Sequence, residues 1–96
     1  MSKITNLLTN DGKLHRYGFW CPGCKCLHWF ATKDMDNDFP KWEWNGDRER
    51  PTISPSILVH MGNSVCHSFI KDGQIQFLDD CTHELAGKTV PMEEAE

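Results

Sequence analysis

Two cysteines joined by a Pro-Gly turn, Cys21-Pro22-Gly23-Cys24, restrict the fold of this 96-residue chain more than any other feature. Such a turn aims both sulfurs to one side and lets backbone N–H groups reach the thiolates. Proline limits the turn and glycine supplies permissive dihedrals. Thiolates placed this way can grip a tetrahedral zinc ion. Beside Trp20 they can instead form a redox dithiol. A redox site of that kind needs a strand before it, a good helix after it and alternating β and α elements around it. Here residues 25–32 run into the polar stretch Asp34-Met35-Asp36-Asn37-Asp38, and the chain beyond reads as hairpins. The context favours zinc, with a thiol redox site at Cys21 and Cys24 as a lesser alternative.

Tetrahedral zinc requires two further nitrogen or sulfur ligands, usually from a second hairpin. Cys66 and His67 open such a hairpin, and His28 lies four residues beyond Cys24. The expected metal ligands are therefore Cys21, Cys24, Cys66 and His67, with His28 as the alternative histidine. The sequence leaves that choice open. Neighbours on a strand point to opposite faces, so Cys66 and His67 would share one ion only across a bulge. Cys26 and Cys81 read as small buried apolar residues, and His15 and His60 as surface or strand-edge residues.

Composition supports a metal staple. A chain this short makes a single domain with a modest core, which a structural metal would strengthen. Five cysteines cannot all pair, and the polar start of the chain does not resemble a signal peptide. Together these point to a reducing cytoplasm in which thiols act as ligands. No stretch is apolar enough to suggest a membrane. The net charge of −4 argues against nucleic acid, because phosphate binding calls for a basic face. The acidic stretch at 34–38 lacks the central glycine and distal glutamate of a calcium loop.

Turn signals at Asp11-Gly12, Asn45-Gly46 and Asp72-Gly73 separate short extended segments. The expected fold is mostly β, made of small zinc-stapled antiparallel hairpins like a zinc ribbon. One short helical turn is expected at 82–86, capped by Asp80 or Thr82 and stopped by Gly87. The expected domain comprises a lead-in at 1–12, a β core at 13–90 and an acidic, fraying tail at 91–96. In the hairpin at 65–78, Val65, His67 and Phe69 share one face, while Cys66, Ser68 and Ile70 share the other.

A second chemical cluster spans Asp79 to Glu84. A carboxylate beside a histidine can orient it for acid–base work, so His67, Asp80 and His83 are candidate catalytic residues of a small metalloenzyme or hydrolase. Cys81 or His83 could also serve as a zinc ligand. Four tryptophans are more than so small a core usually needs. Trp42 and Trp44 are accordingly candidate binding residues.

The ordered series from Phe19-Trp20-Cys21-Pro22-Gly23-Cys24 and His28, through Trp42 to Gly46, Pro51 to Ser56 and Cys66 to Ile70, to Ile75 through Gly87, resembles a family of small phage and prophage proteins. The resemblance covers roughly residues 15–92. That family has no characterised function, and some members carry the label "ammonia monooxygenase". The resemblance implies a zinc-binding, mostly-β accessory protein acting in the cytoplasm of a host bacterial cell. The leading functional expectation is a non-enzymatic zinc-stabilised module that binds a host or phage protein. A small hydrolase using His67, Asp80 and His83 is the competing one.

Overall fold

The computed structural model describes residues 2–95. Its eight strands are β1 (Thr5–Leu8), β2 (Leu14–Cys21), β3 (Cys26–Thr32), β4 (Lys41–Trp44), β5 (Ile53–Met61), β6 (Ser64–Lys71), β7 (Gln74–Phe77) and β8 (Thr89–Pro91). They follow one another across the sheet in chain order. Asp72-Gly73 and the turn after Met61 form tight hairpins, with Asp72 at φ 50 and Gly73 at φ 76. This left-handed backbone matches the twist of the flanking strands. The fold is mostly β, as the turn signals and alternation imply. No helix occurs among the described residues.

Two parts of the chain, the β3–β4 pair and the turns at 82–88, differ from the sequence expectation. β3 and β4 pair in parallel, Ala31 with Lys41 and Thr32 with Trp42, because the polar segment at 33–40 carries the chain back to the start of its neighbour. The remaining neighbours are antiparallel. At 82–88 the chain makes successive turns, with Ala86 N–H donating to His83 O and Lys88 N–H to Leu85 O. Residues 91–95 are tied down. Pro91 ends β8, Met92 is buried, and Ala95 N–H donates to Ser2 O. Apolar Met92 supplies burial that the surrounding acidic residues mask in the sequence. The lead-in contributes β1 and the fully buried Ile4.

The sheet has a distinct inner face, where Phe19, Phe30, Ile53, Ile70, Ile75 and Phe77 form the core. Strand periodicity sends the alternate residues outward, and Leu58 and Phe69 lie exposed there. β4 is the short link between the two halves of the sheet. It pairs with β3 and with β5 through two register positions each, the latter being Glu43 with Ser54 and Trp44 with Ile53. Trp44 packs on Tyr17 and Phe30 at ring distances of 4.7 and 5.8 Å, so it serves the core.

β5 carries an irregularity that matters below. Ile53 faces Ile70 and Ile57 faces Ser68, so β5 advances four residues while β6 advances two. The extra residues fall within Ser54-Pro55-Ser56, and such bulges re-aim side chains.

Burial separates two substitutions. Ile75→Ala should lower unfolding free energy by about 2–5 kcal/mol through lost transfer energy and a cavity. Leu58→Ala, half-exposed on the outer face, should change it by less than about 0.5 kcal/mol. Denaturant unfolding of the two variants measures the contrast.

Candidate functional site

β2 ends and β3 begins at the Cys21–Cys24 turn. Cys24 N–H donates to Cys21 Sγ at 3.3 Å, and Lys25, at φ 58, donates its N–H to Cys21 O at 2.7 Å. This closes the thiolate-bearing turn that the Pro-Gly sequence encodes. Across the hairpin, Phe19 faces His28 and Tyr17 faces Phe30, so His28 points inward with the core side chains. From the other half of the sheet, β6 points Cys66 inward. Cys21, Cys24, His28 and Cys66 thus bring four ligand atoms within 4.8 Å of one another.

The donor set fits zinc. The sulfurs of Cys21 and Cys66 are 3.8 Å apart, about the edge of a tetrahedron with zinc–sulfur bonds of ~2.3 Å. His28 is 3% exposed, and its Nε2 has no hydrogen-bond partner among the described residues. A buried polar atom of that kind calls for a ligand. The thiols divide their protons unequally. The hydrogen bond with Cys66 holds Cys21 far below the usual thiol range, at about 3, against the opposing effect of burial, and His28 adds to the lowering. Cys66 is pushed up by that same hydrogen bond, by burial and by the charge on Cys21. Burial and the Cys21 charge push Cys24 up to about 11. A dication here would displace the remaining thiol protons.

His67 lies elsewhere. The β5–β6 register runs without a break through Val59–Cys66 and Leu58–His67. Without a bulge at that point, Cys66 faces inward and His67 outward, so they do not meet at one ion. His67 instead makes two side-chain hydrogen bonds. Its Nδ1 is 3.1 Å from Asp80 Oδ2, and its Nε2 is 3.0 Å from Ser56 Oγ. An ionised carboxylate can only accept, so Asp80 selects the tautomer with hydrogen on Nδ1. Nε2 then carries the lone pair that receives the Ser56 hydroxyl.

The backbone fixes this alignment. Leu78 N–H donates to His67 O, Thr82 N–H donates to Val65 O, and His67 N–H reaches Cys81 Sγ at 3.2 Å. These bonds lay residues 78–82 along β6 and set Asp80 beside His67. Ser56 sits in the β5 irregularity, and its carbonyl accepts from Trp42 Nε1 at 3.2 Å. Ser56 and His67 are half-buried, whereas the Asp80 side chain is 55% exposed.

His83 belongs to the metal side, not to this triad. It forms a second potential ligand group with Cys66 and Cys81. Its ring lies against the Cys21–Cys24 turn, so closely that a Cβ on Gly23 would come within 2.3 Å of it. It also makes a T-shaped contact with Phe77, ring centroids 4.6 Å apart. Cys26 lies outside both groups. Sequence reasoning named His67 and Asp80 but not Ser56, which has no glycine elbow to mark it.

The two sites define a small β protein with a Cys/His cluster that could hold a metal ion inside and a Ser-His-Asp array outside. A family model described as "Bacterial ubiquitination-like system serine protease (BubE)" matches residues 2–78, and the chain belongs to that family. The matched span includes Ser56 and His67 and ends two residues before Asp80. No curated protein and no solved structure matches the chain.

The two histidines have opposite expected phenotypes. Purified protein should hold about one zinc per chain. Cys21→Ser, Cys66→Ser and His28→Ala should lose it, while His67→Ala and Cys26→Ser should keep it. Elemental analysis after desalting checks all five.

Proposed function

We propose that this chain is a serine protease of a bacterial ubiquitination-like system, with Ser56 as nucleophile, His67 as general base and acid, and Asp80 as the group that orients His67. The observation that carries this reading is the continuous hydrogen-bonded line from Ser56 Oγ to His67 Nε2 and from His67 Nδ1 to Asp80 Oδ2. The family description supplies the same reaction class.

In this reading Ser56 Oγ attacks a substrate carbonyl carbon while its proton passes to His67 Nε2. The imidazolium faces the Asp80 carboxylate, which stabilises the charge. His67 then gives the proton to the departing amine, leaving an acyl ester on Ser56. Water, deprotonated by His67, attacks that ester. The acid leaves, and the proton returns to Ser56. Each proton taken up is returned, so hydrolysis needs no other reactant than water.

The inner cluster has a structural part in this proposal. Cys21, Cys24, His28 and Cys66 would hold zinc with four protein ligands and no place for a catalytic water. This closed site would fix β6 one residue from His67. The reading departs from a metalloenzyme that uses His83 and from a purely binding module. Trp44 is engaged with the core, and Trp42 supports Ser56. Among the described residues no helix is long and apolar enough to cross a membrane.

A fluorophosphonate probe should label the protein at Ser56, located by peptide mass spectrometry, and Ser56→Ala should abolish labelling. Asp80→Asn should retain the fold and zinc yet slow labelling by about 10²–10⁴-fold, with the lower end reflecting its solvent exposure. Equal labelling of wild type and Ser56→Ala would overturn the assignment.

A further inference from the structure

β4 is four residues long and leaves a gap between its longer neighbours. Residues 27–29 of β3 pair with β2, and β3 meets β4 only from Ala31 onward. On the far side of the gap, residues 57–61 of β5 pair with β6, and β5 meets β4 only at Ile53 and Ser54. In an antiparallel ladder alternate residues present both backbone groups on one edge. Leu58 and His60 therefore face the same edge as Ser54 and Ser56, toward the gap, and no strand pairs with them there. Exposed strand edges of this kind are templates for another chain.

The gap is a groove of about 520 Å³, lined among others by Leu27, Trp29, Pro40, Trp42, Leu58 and Met61. No Asp, Glu, Lys or Arg lines it. Leu27, Leu58 and Met61 are 47%, 50% and 44% exposed. A row of large apolar side chains in water beside an unpaired strand edge costs free energy unless something covers it. Ser56 adjoins the groove without lining it: Trp42, part of the lining, donates to the carbonyl of Ser56, and Ile57, the next residue, belongs to the wall.

We infer that this groove is the substrate cleft, and that its occupant is an extended peptide segment with uncharged apolar side chains. The segment adds as a strand to the β5 edge at Leu58 and His60, in the space that β4 leaves. This inference rests on the protease reading and deepens it by naming the substrate class. Main-chain pairing sets the register that brings a peptide carbonyl to Ser56, and the pockets beside Trp29 and Trp42 select the side chains. With no Asp, Glu, Lys or Arg in its lining, the groove disfavours charged side chains, whose desolvation no opposite charge of those types repays.

Binding and catalysis can be read separately. Binding of an acetylated hexapeptide of Val and Leu residues is measured by tryptophan fluorescence and by amide NMR shifts in Ser56→Ala protein, where no turnover intervenes. The expected result is saturable binding, with the Leu58 and His60 amides shifting. Leu27→Asp and Met61→Asp, both at exposed positions, should weaken it at least tenfold, as should N-methylation of alternate peptide amides or replacement of Leu by Asp or Lys. Leu8→Asp, exposed on β1 and outside the groove, should leave both peptide binding and, with Ser56 present, fluorophosphonate labelling within twofold of wild type. Failure of the peptide to bind, or binding indifferent to N-methylation and to both groove substitutions, would overturn the cleft. Loss of labelling in wild type with peptide binding intact would instead overturn the protease reading alone.

Discussion

The structure depends on two adjacent residues of β6 that face opposite ways. Cys66 points inward to Cys21, Cys24 and His28, and His67 points outward to Ser56 and Asp80. Strand geometry requires this separation, since successive side chains alternate across a sheet. The result is a chain only 96 residues long whose stabilising cluster and reactive array share a strand without sharing a ligand. The link between the halves of the sheet explains why this matters. β4 joins them by two register positions on each side, whereas the cysteine cluster brings side chains of β2 and β3 together with one of β6.

Two further contacts, one hydrogen bond and one packed ring, couple the faces. Cys81, buried beside the cluster, receives the N–H of His67 and follows Asp80 in sequence. His83 wedges between the Cys21–Cys24 turn and Phe77, where glycine at position 23 leaves the space its ring fills. The segment that brings Asp80 to His67 is therefore clamped at its far end by the metal-side residues. In the proposed mechanism this clamp supplies the positioning that a longer protein obtains from a larger core.

Much of the fold was legible because its signals are local. Asp72-Gly73, the Cys21–Cys24 turn and the alternation at 65–70 each specify a hairpin within a few residues. The docking of residues 91–95 was not legible, because one apolar residue, Met92, decides it while acidic neighbours dominate the composition. The parallel β3–β4 pair was not readable, since nothing between 33 and 40 encodes which edge the chain returns to. At the site, the alternation rule already set Cys66 and His67 on opposite faces, but the choice of His28 needed the β2–β3 register. Ser56 was hidden for a stronger reason. It reaches His67 through an irregular advance of β5 over β6, and bulge position is a tertiary property that Ser54-Pro55-Ser56 shares with many plain extended segments.

In the proposed mechanism the inner cluster holds the outer triad in register. The most direct measurement is the rate of fluorophosphonate labelling at Ser56 while zinc is titrated into metal-depleted protein, with occupancy followed in parallel. Labelling should be negligible without metal and rise in proportion to occupancy, saturating at about one zinc per chain. Full labelling of metal-depleted protein would show that the cluster does not position the triad.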